Sequence, residues 1–177
     1  PTQALPTAHA RPRVTDIVDC VVIGAGPAGL TAAIYLRRFH RDVRVIDAGE
    51  PRAGKIARSH NVPGFPDGIA VHELLLRMAV HLERMGGVVT RGEVQSVIRD
   101  EEGLFEVGLE ESTLRCRFVL LCTGVVDRPA SIPGAGLVEH ADLMRYCPVY
   151  DDYVQTGKRI GVLPNSASSP AESKFMN

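Results

Sequence analysis

The fold is decided by one stretch near the start of the chain, Ile17-Val-Asp-Cys-Val-Val-Ile-Gly-Ala-Gly-Pro-Ala-Gly-Leu-Thr-Ala-Ala-Ile-Tyr-Leu36. Its first seven residues are mostly β-branched and stop at a glycine, which is typical of a buried strand. From Leu30 onward, apolar residues recur at helical spacing until two arginines end the pattern. Val43 to Ile46 then predicts a second strand. The segment is therefore predicted to form a βαβ unit with a right-handed crossover.

Between the strand and the helix, Gly24, Gly26 and Gly29 match the pattern G-x-G-x-x-G. In that position the pattern predicts a dinucleotide site, in which the first glycine permits a tight turn and the second lets a pyrophosphate approach the backbone. The third lets helix and strand pack closely. Asp47 ends the next strand, where a carboxylate accepts hydrogen bonds from the adenosine ribose and repels a 2′-phosphate. The alternative is a glycine turn that serves packing alone.

Composition narrows the possible functions. The chain has 177 residues, a net charge of −1 and a hydrophobic share of 45%, which fit a globular protein with one domain or one domain and part of another. With so small a net charge, electrostatic attraction to nucleic acid or to an anionic membrane is not expected. No apolar run is long enough to span a bilayer. We expect no metal site. The four cysteines form no C-x-x-C pair, which favours a reducing cytoplasm over a disulfide framework.

The remaining pattern alternates short elements with loops. A long loop at 50–68 suggests a binding role, and apolar spacing predicts a helix from Val71 to Met85 that stops at two glycines. Short strands are expected at 88–91, 94–99, 104–109 and 112–116, with a hairpin turn at 100–103. The apolar run Phe118 to Cys122 predicts a strand of the parallel sheet that is buried on both faces. A further strand is expected from Lys158 to Leu163. The fold class is therefore α/β, with a central parallel sheet and a small antiparallel β-meander.

These motifs resemble those of a known family. The segment from Cys20 to Leu36 resembles the N-terminal FAD motif of the thioredoxin reductase-like flavoproteins, a branch of the pyridine nucleotide-disulfide oxidoreductases. Four further segments are similar to family segments in the same order: 47–52 after the second strand, 59–66 beside the flavin, 121–125 at the A-T-G element and 145–151 at the redox C-x-x-C-D. The resemblance covers about residues 17 to 163. It implies a Rossmann-like FAD-binding fold.

The resemblance also implies cofactor-binding roles for particular residues. The pyrophosphate would be held by Gly24, Ala25, Gly26, Pro27, Ala28 and Gly29, and the adenosine ribose would face Asp47, Ala48 and Gly49. Asn61 would lie near the isoalloxazine, the Val94 backbone near the adenine, and Thr123 and Gly124 beside the cofactor. Two alternatives stay open, because Asn61 also suits a cap of the following Pro-Gly turn and Val94 also suits an ordinary strand position. For His60 a structural or solvent-facing role is expected.

The chain departs from the family pattern in three places. Tyr150 stands where the family has its second redox cysteine, so the candidate catalytic residue Cys147 is expected to be an ordinary thiol and disulfide reduction is not expected. A proline and serines at 164–169 replace the second glycine-rich turn, which makes NAD(P)H binding doubtful. The chain ends at Asn177 without the family's returning Gly-Asp element. We therefore expect a fold incomplete relative to the family, exposed apolar sheet surface, and a homodimer or poor solubility.

The expected organisation is a disordered arm at 1–16, an FAD-binding domain at 17–130, a linker with the degenerate C-x-x-C at 131–156 and the start of an incomplete nicotinamide-binding domain at 157–177. An organellar targeting peptide is the alternative for the arm. The leading functional hypothesis is an FAD-dependent oxidoreductase with an unidentified small-molecule electron acceptor. The alternatives are a module that binds FAD or another ADP-containing ligand without turnover, and a structural remnant that serves oligomerisation.

Overall fold

The computed structural model describes residues 17–49, 51–128, 133–134, 136–137 and 155–162. They belong to two compact units, one drawn from Pro1–Ala53 and Leu75–Gly124 and the other from Gly54–Leu74 and Val125–Asn177. The expectations for the N-terminal arm, for the turn at 164–169 and for Cys147 and Tyr150 concern positions outside the described residues.

Eight strands and two helices form along the described chain. In order they are β1 (Val18–Ile23), α1 (Pro27–Arg38), β2 (Val43–Asp47), β3 (Arg58–Ser59), β4 (Ile69–Ala70), α2 (Val71–Arg84), β5 (Val89–Arg91), β6 (Ser96–Arg99), β7 (Phe105–Gly108) and β8 (Thr113–Leu121). Neither helix has the length and apolar character that crossing a membrane requires.

The first unit is built on a six-stranded sheet with the order β5-β2-β1-β8-β7-β6. β1 pairs in parallel with β2 on one side and with β8 on the other, and β5 extends the parallel part beyond β2. β7 runs antiparallel to both β8 and β6. The predicted α/β fold with a central parallel sheet and an antiparallel meander is therefore confirmed, and the meander is a continuation of the same sheet through β8.

The two faces of β1 explain why its sequence is apolar except at Asp19. Cys20 and Val22 face a cluster formed with α1 and α2, which includes Leu30, Ile34 and Leu82. On the opposite face, Val21 and Ile23 pack with residues of the meander, including Val107 and Cys116. Each buried branched side chain of this kind contributes about 1.5–3 kcal/mol through removal of apolar surface from water. A strand covered on both faces therefore favours apolar residues at both sets of alternating positions, and the exception, Asp19, accepts a hydrogen bond from the Asp42 N–H at 3.0 Å.

Burial also governs the thiols of the sheet. Cys20, Cys116 and Cys122 are free cysteines, and the first two are buried. Burial raises the pKa of the Cys20 thiol to about 11 and also raises the pKa of Cys116. Both are therefore neutral near pH 7 and poor nucleophiles, because the thiolate is the reactive form.

The structure corrects the prediction for the apolar run before Cys122. The two strands expected at 112–116 and 118–122 are one continuous strand, β8. Its parallel pairing with β1 is confirmed, but burial on both faces is wrong, because Phe118 is 67% exposed and Leu121 is 71% exposed. Phe118 pairs with Cys20, so it shares the helix-side face of the sheet. Among the described residues, the helices pack over β1 and β2, and this leaves Phe118 open.

Three smaller corrections concern element limits. The strand expected at 94–99 begins only at Ser96, so Val94 precedes it and is partly buried against the meander-side core. The expected loop at 50–68 contains a short 3-10 helix, Arg52–Lys55, and the strand β3. The further strand expected from Lys158 is absent over the described positions 158–162.

The hairpin expected at 100–103 is confirmed, since β6 and β7 form an antiparallel pair around it. The Asp100 carboxylate accepts hydrogen bonds from the Leu104 backbone N–H at 2.8 Å and from the Arg115 guanidinium at 2.6 Å. The hydrogen bond from Arg115 holds the pKa of Asp100 below its usual value. The turn is thus tied to β8 as well as to its own strands.

The packing of α2 gives a stability prediction. Leu82 is 1% exposed and lies in the helix-side core, so Leu82→Ala should lower the free energy of unfolding by about 2–5 kcal/mol through lost burial and a residual cavity. Leu76→Ala on the same helix removes a side chain that is 62% exposed, and we expect a change below about 0.5 kcal/mol. Urea unfolding followed by circular dichroism measures both variants. Equal losses at the two positions would contradict this packing of α2.

Candidate functional site

The candidate site begins where β1 passes into α1. Gly24 has a φ of +104°, a conformation that favours glycine, and its N–H donates to the Ile46 carbonyl at 2.7 Å. Gly26 is the N-cap of α1 and Pro27 is at the start of the helix, but no side chain caps the N–H groups at this end and the first turn has no acidic residue. The first N–H groups of α1 are therefore available to an anion, which the helix dipole also favours.

Two of the three motif glycines are required by packing. A Cβ on Gly24 would overlap the Cys122 carbonyl oxygen and lie 2.8 Å from its carbon. A Cβ on Gly29 would overlap the Gly24 carbonyl oxygen and lie 3.3 Å from the Cys122 Cβ. The turn, the first turn of α1 and the end of β8 are thus in backbone contact, as the sequence predicted for close packing of helix and strand.

Gly26 differs from its neighbours. A Cβ built at this position meets nothing within 4 Å, and its φ of −69° is one that any residue adopts. Packing of the described chain therefore gives no reason for glycine here. The open space above Gly26 is what the approach of a pyrophosphate to the backbone requires.

Asp47 joins the turn to the end of β2. One carboxylate oxygen accepts a hydrogen bond from the Ala25 N–H at 2.7 Å, and the other accepts one from the Gly49 N–H at 2.8 Å. Both bonds run from backbone donors to an ionised acceptor, a strong class of hydrogen bond. Asp47 therefore positions the glycine turn and the bend at Ala48 and Gly49, in addition to the ribose contact expected of it.

The segment after β8 reaches the same edge of the sheet. The Cys122 N–H donates to the Ile23 carbonyl at 2.8 Å, which continues the pairing of β8 with β1. The Thr123 nitrogen lies 3.4 Å from the position of a Cβ on Gly24, and Gly124 follows with a φ of +69°. The structure thus brings Thr123 next to the glycine turn, and both Thr123 and Gly124 are exposed, while their place beside a cofactor stays a prediction.

Arg91 is a residue of this edge that the sequence reasoning missed. It is the last residue of β5 and is paired with Asp47 across the parallel ladder. Its guanidinium lies against Gly49, with Nη2 2.7 Å from the position that a Cβ on Gly49 would take. The available signal was that Arg91 ends a predicted strand, but only the sheet order reveals that this strand lies beside β2.

Asn61 belongs to the second unit and has a local partner. The Ser59 hydroxyl donates to the Asn61 amide oxygen at 2.6 Å. The following Pro63-Gly64 pair forms a turn in which the Phe65 N–H donates to the Val62 carbonyl at 3.2 Å. The hydrogen bond of Asn61 thus joins it to Ser59 and not to the turn, so the cap role and the place beside a flavin both stay predictions.

The loop from 60 to 66 also lines an open cavity of about 390 Å³. The His60 imidazole lies against Gly68, whose φ of +71° and lack of a side chain permit the contact. His60 therefore has a structural contact although it is exposed.

Comparisons with known proteins agree with this geometry. A family described as pyridine nucleotide-disulphide oxidoreductase matches residues 18–163. The thioredoxin reductase of Bacillus subtilis (strain 168) is 29% identical over 163 residues, which is 90% of this chain and 50% of that protein. The chain spans about half the length of the curated relatives it matches.

Solved structures give the same result. The protein in the crystal structure of HlmI is 32% identical in sequence to this chain, and the two structures superpose with a TM-score of 0.80 over 90% of this chain and 51% of that one. The thioredoxin reductase from Streptococcus pyogenes MGAS5005 is 26% identical, with a TM-score of 0.80 over 90% of this chain and 52% of that one. The resemblance to the N-terminal portion of thioredoxin reductase-like proteins is confirmed.

The glycines provide a paired prediction. Gly29→Ala should destabilise the fold by about 1–3 kcal/mol, because its Cβ meets backbone that has no room to move. Gly26→Ala should change stability by less than about 0.5 kcal/mol but weaken FAD binding by about tenfold or more, because its methyl group occupies the space above the turn. Thermal unfolding and equilibrium dialysis measure the two properties. If Gly26→Ala bound FAD with unchanged affinity, the glycine turn would be shown to serve packing alone.

A second prediction concerns the carboxylate that holds the turn. Asp47→Asn leaves one backbone N–H facing an amide NH₂, so we expect a loss of about 1–3 kcal/mol in unfolding free energy. Asp42→Asn is the matched control, because Asp42 makes an exposed ion pair with Arg44 at 3.1 Å and such pairs contribute about 0–1 kcal/mol. Denaturant titration compares the two. A loss at Asp47 no larger than that at Asp42 would show that the turn does not depend on the carboxylate.

Proposed function

We propose that this chain, which belongs to the pyridine nucleotide-disulphide oxidoreductase family, binds FAD and forms the FAD-binding part of a thioredoxin reductase-like oxidoreductase. The observation that carries the proposal is the open space above Gly26, between two glycines that packing requires. A turn that served packing alone would account for Gly24 and Gly29 but not for Gly26. The packing-only alternative is therefore the weaker explanation of the motif.

The chain's own residues fit the ADP half of the cofactor. The free N–H groups at the start of α1 would bind the pyrophosphate oxygens, and Asp47 would hold the turn against β2 while its remaining lone pairs accept from ribose hydroxyls. Thr123 would line the other side of the turn. When bound, FAD supplies two-electron chemistry at its isoalloxazine. The chain's contribution is to bind and orient that group.

The electron acceptor is proposed to be a small molecule other than a protein disulfide. Tyr150 replaces the second cysteine of the family's redox pair, so Cys147 lacks the resolving sulfur that a dithiol relay needs. The buried thiols Cys20 and Cys116 offer no substitute, since burial raises the pKa of each. The proline and serines at 164–169 weaken the case for NAD(P)H binding by this chain alone.

A second candidate is a module that binds FAD without turnover. The observation that favours it is the replacement of the resolving cysteine by Tyr150, together with the neutral state of the buried thiols. Exposed Phe118 and Leu120, which share the helix-side face of β8, supply apolar surface that a homodimer would cover, and this is the support for self-association in either candidate. Free thiols among the described residues support the reducing cytoplasm as the compartment.

One preparation separates the two candidates. The purified 177-residue chain should take up added FAD and show a bound-flavin absorption spectrum, whereas Gly26→Ala should need about tenfold more FAD or higher to do so. NADH or NADPH is then added anaerobically, and loss of the visible flavin band marks the enzyme. A flavin band that persists indicates a binding module.

Cys147→Ser serves as a control and should bleach as the wild-type chain does, because the hydride passes directly from the nicotinamide to the flavin and a thiol could receive electrons only afterwards. Wild-type protein that remains colourless with excess FAD would contradict the proposed function.

A further inference from the structure

The carboxyl ends of β1, β2 and β5, which we call the nucleotide edge, lie side by side in the sheet in the order β5-β2-β1. The glycine turn follows β1, Asp47 ends β2, and Arg91 ends β5, which is the next strand outward. Nucleotides bind to open α/β sheets outside the carboxyl ends of the strands. A dinucleotide with its pyrophosphate at the turn and its ribose at Asp47 therefore has its next group, the adenine base, in front of Arg91.

Arg91 is held in that position by its backbone. Asp47 and Arg91 are ladder partners, and the Gly92 N–H donates to the Asp47 carbonyl at 3.0 Å. The Arg91 guanidinium rests on Gly49, which has a φ of +90° and no side chain to displace it. Within the part of the chain that the structure describes, this guanidinium makes no hydrogen bond or ion pair, and the residue is exposed.

The distance along the sheet decides which part of the ligand Arg91 contacts. Adjacent strands lie about 4.8 Å apart, so the end of β5 is about 10 Å from the end of β1. That separation exceeds the Debye length of about 8 Å at physiological ionic strength, so a charge interaction with the pyrophosphate is largely screened. Contact with the base is the stronger interaction, because a planar guanidinium stacks on an aromatic face.

We propose that Arg91 binds the adenine end of the nucleotide by stacking its guanidinium on the base, with Gly49 as the platform beneath it. This inference rests on the proposed FAD site and adds to it a residue that determines preference for adenine-containing ligands. The Asp47 carboxylate already accepts two backbone N–H groups, so Arg91 adds a further side-chain contact to the adenosine half that FMN lacks.

The test compares Arg91→Leu, Arg91→Lys and the wild-type chain by isothermal titration with FAD, ADP and FMN. Arg91→Leu should bind FAD and ADP about tenfold more weakly, while FMN, which has no adenosine, should bind all the proteins equally. Arg91→Lys keeps the charge but loses the plane, so it should recover little of the affinity. Arg38→Leu removes an equally exposed arginine at the far end of α1 and should bind all three ligands as the wild type does.

The outcomes separate this inference from the proposed function. Wild-type affinity of Arg91→Leu for ADP and FAD, at equal thermal stability, overturns the role of Arg91. Full recovery in Arg91→Lys overturns stacking in favour of a simple charge interaction. A wild-type chain that binds ADP but no flavin contradicts the proposed function, and the ADP titrations of the variants still decide the role of Arg91. Binding of neither nucleotide by the wild type overturns both.

Discussion

The structure of the first unit depends on backbone contact at one point, where Gly24 and Gly29 meet the end of β8. A single methyl group on either glycine would overlap a carbonyl oxygen or crowd the Cys122 Cβ. Because β1, α1 and β8 converge there, the contact fixes the angle at which the helix leaves the strand and brings Thr123 to the turn. Asp47 adds the fourth element by tying Ala25 to the end of β2. The proposed cofactor site therefore lies where these four elements meet.

The parts of the fold that the sequence predicted are those whose signals are local. The strand-turn-helix around Gly24, the end of α2 before Gly86 and the hairpin at Asp100 each have turn residues and apolar spacing within a few positions. The errors concern what lies beside an element. The exposure of Phe118 depends on which strand the helices cover, and the role of Arg91 depends on β5 lying next to β2. Neither property is encoded in the residues next to it in the chain.

The charges along the nucleotide edge follow a consistent order. The start of α1 provides partial positive charge without a capping side chain, and Arg91 provides a full positive charge at the other end of the edge. Asp47 lies between them, but its two oxygens already accept backbone N–H groups, so part of its negative charge is compensated before a ligand arrives. A ligand with central phosphates and a terminal aromatic base matches this order. A nucleotide with a 2′-phosphate would instead put its extra charge beside the Asp47 carboxylate.

The chemistry of the thiols bears on how electrons could leave a flavin bound at this edge. A protein sulfur can accept them only where it is reachable and where a second sulfur resolves the product. Cys20 and Cys116 fail the first condition because both are buried, and burial raises the pKa of Cys20 to about 11. Cys147 is expected to fail the second, because the resemblance places Tyr150 where the family has the partner cysteine. The proposed small-molecule acceptor is compatible with both the family membership and Tyr150, because it needs a flavin site but no cysteine pair. The second candidate, FAD binding without turnover, is compatible with them as well.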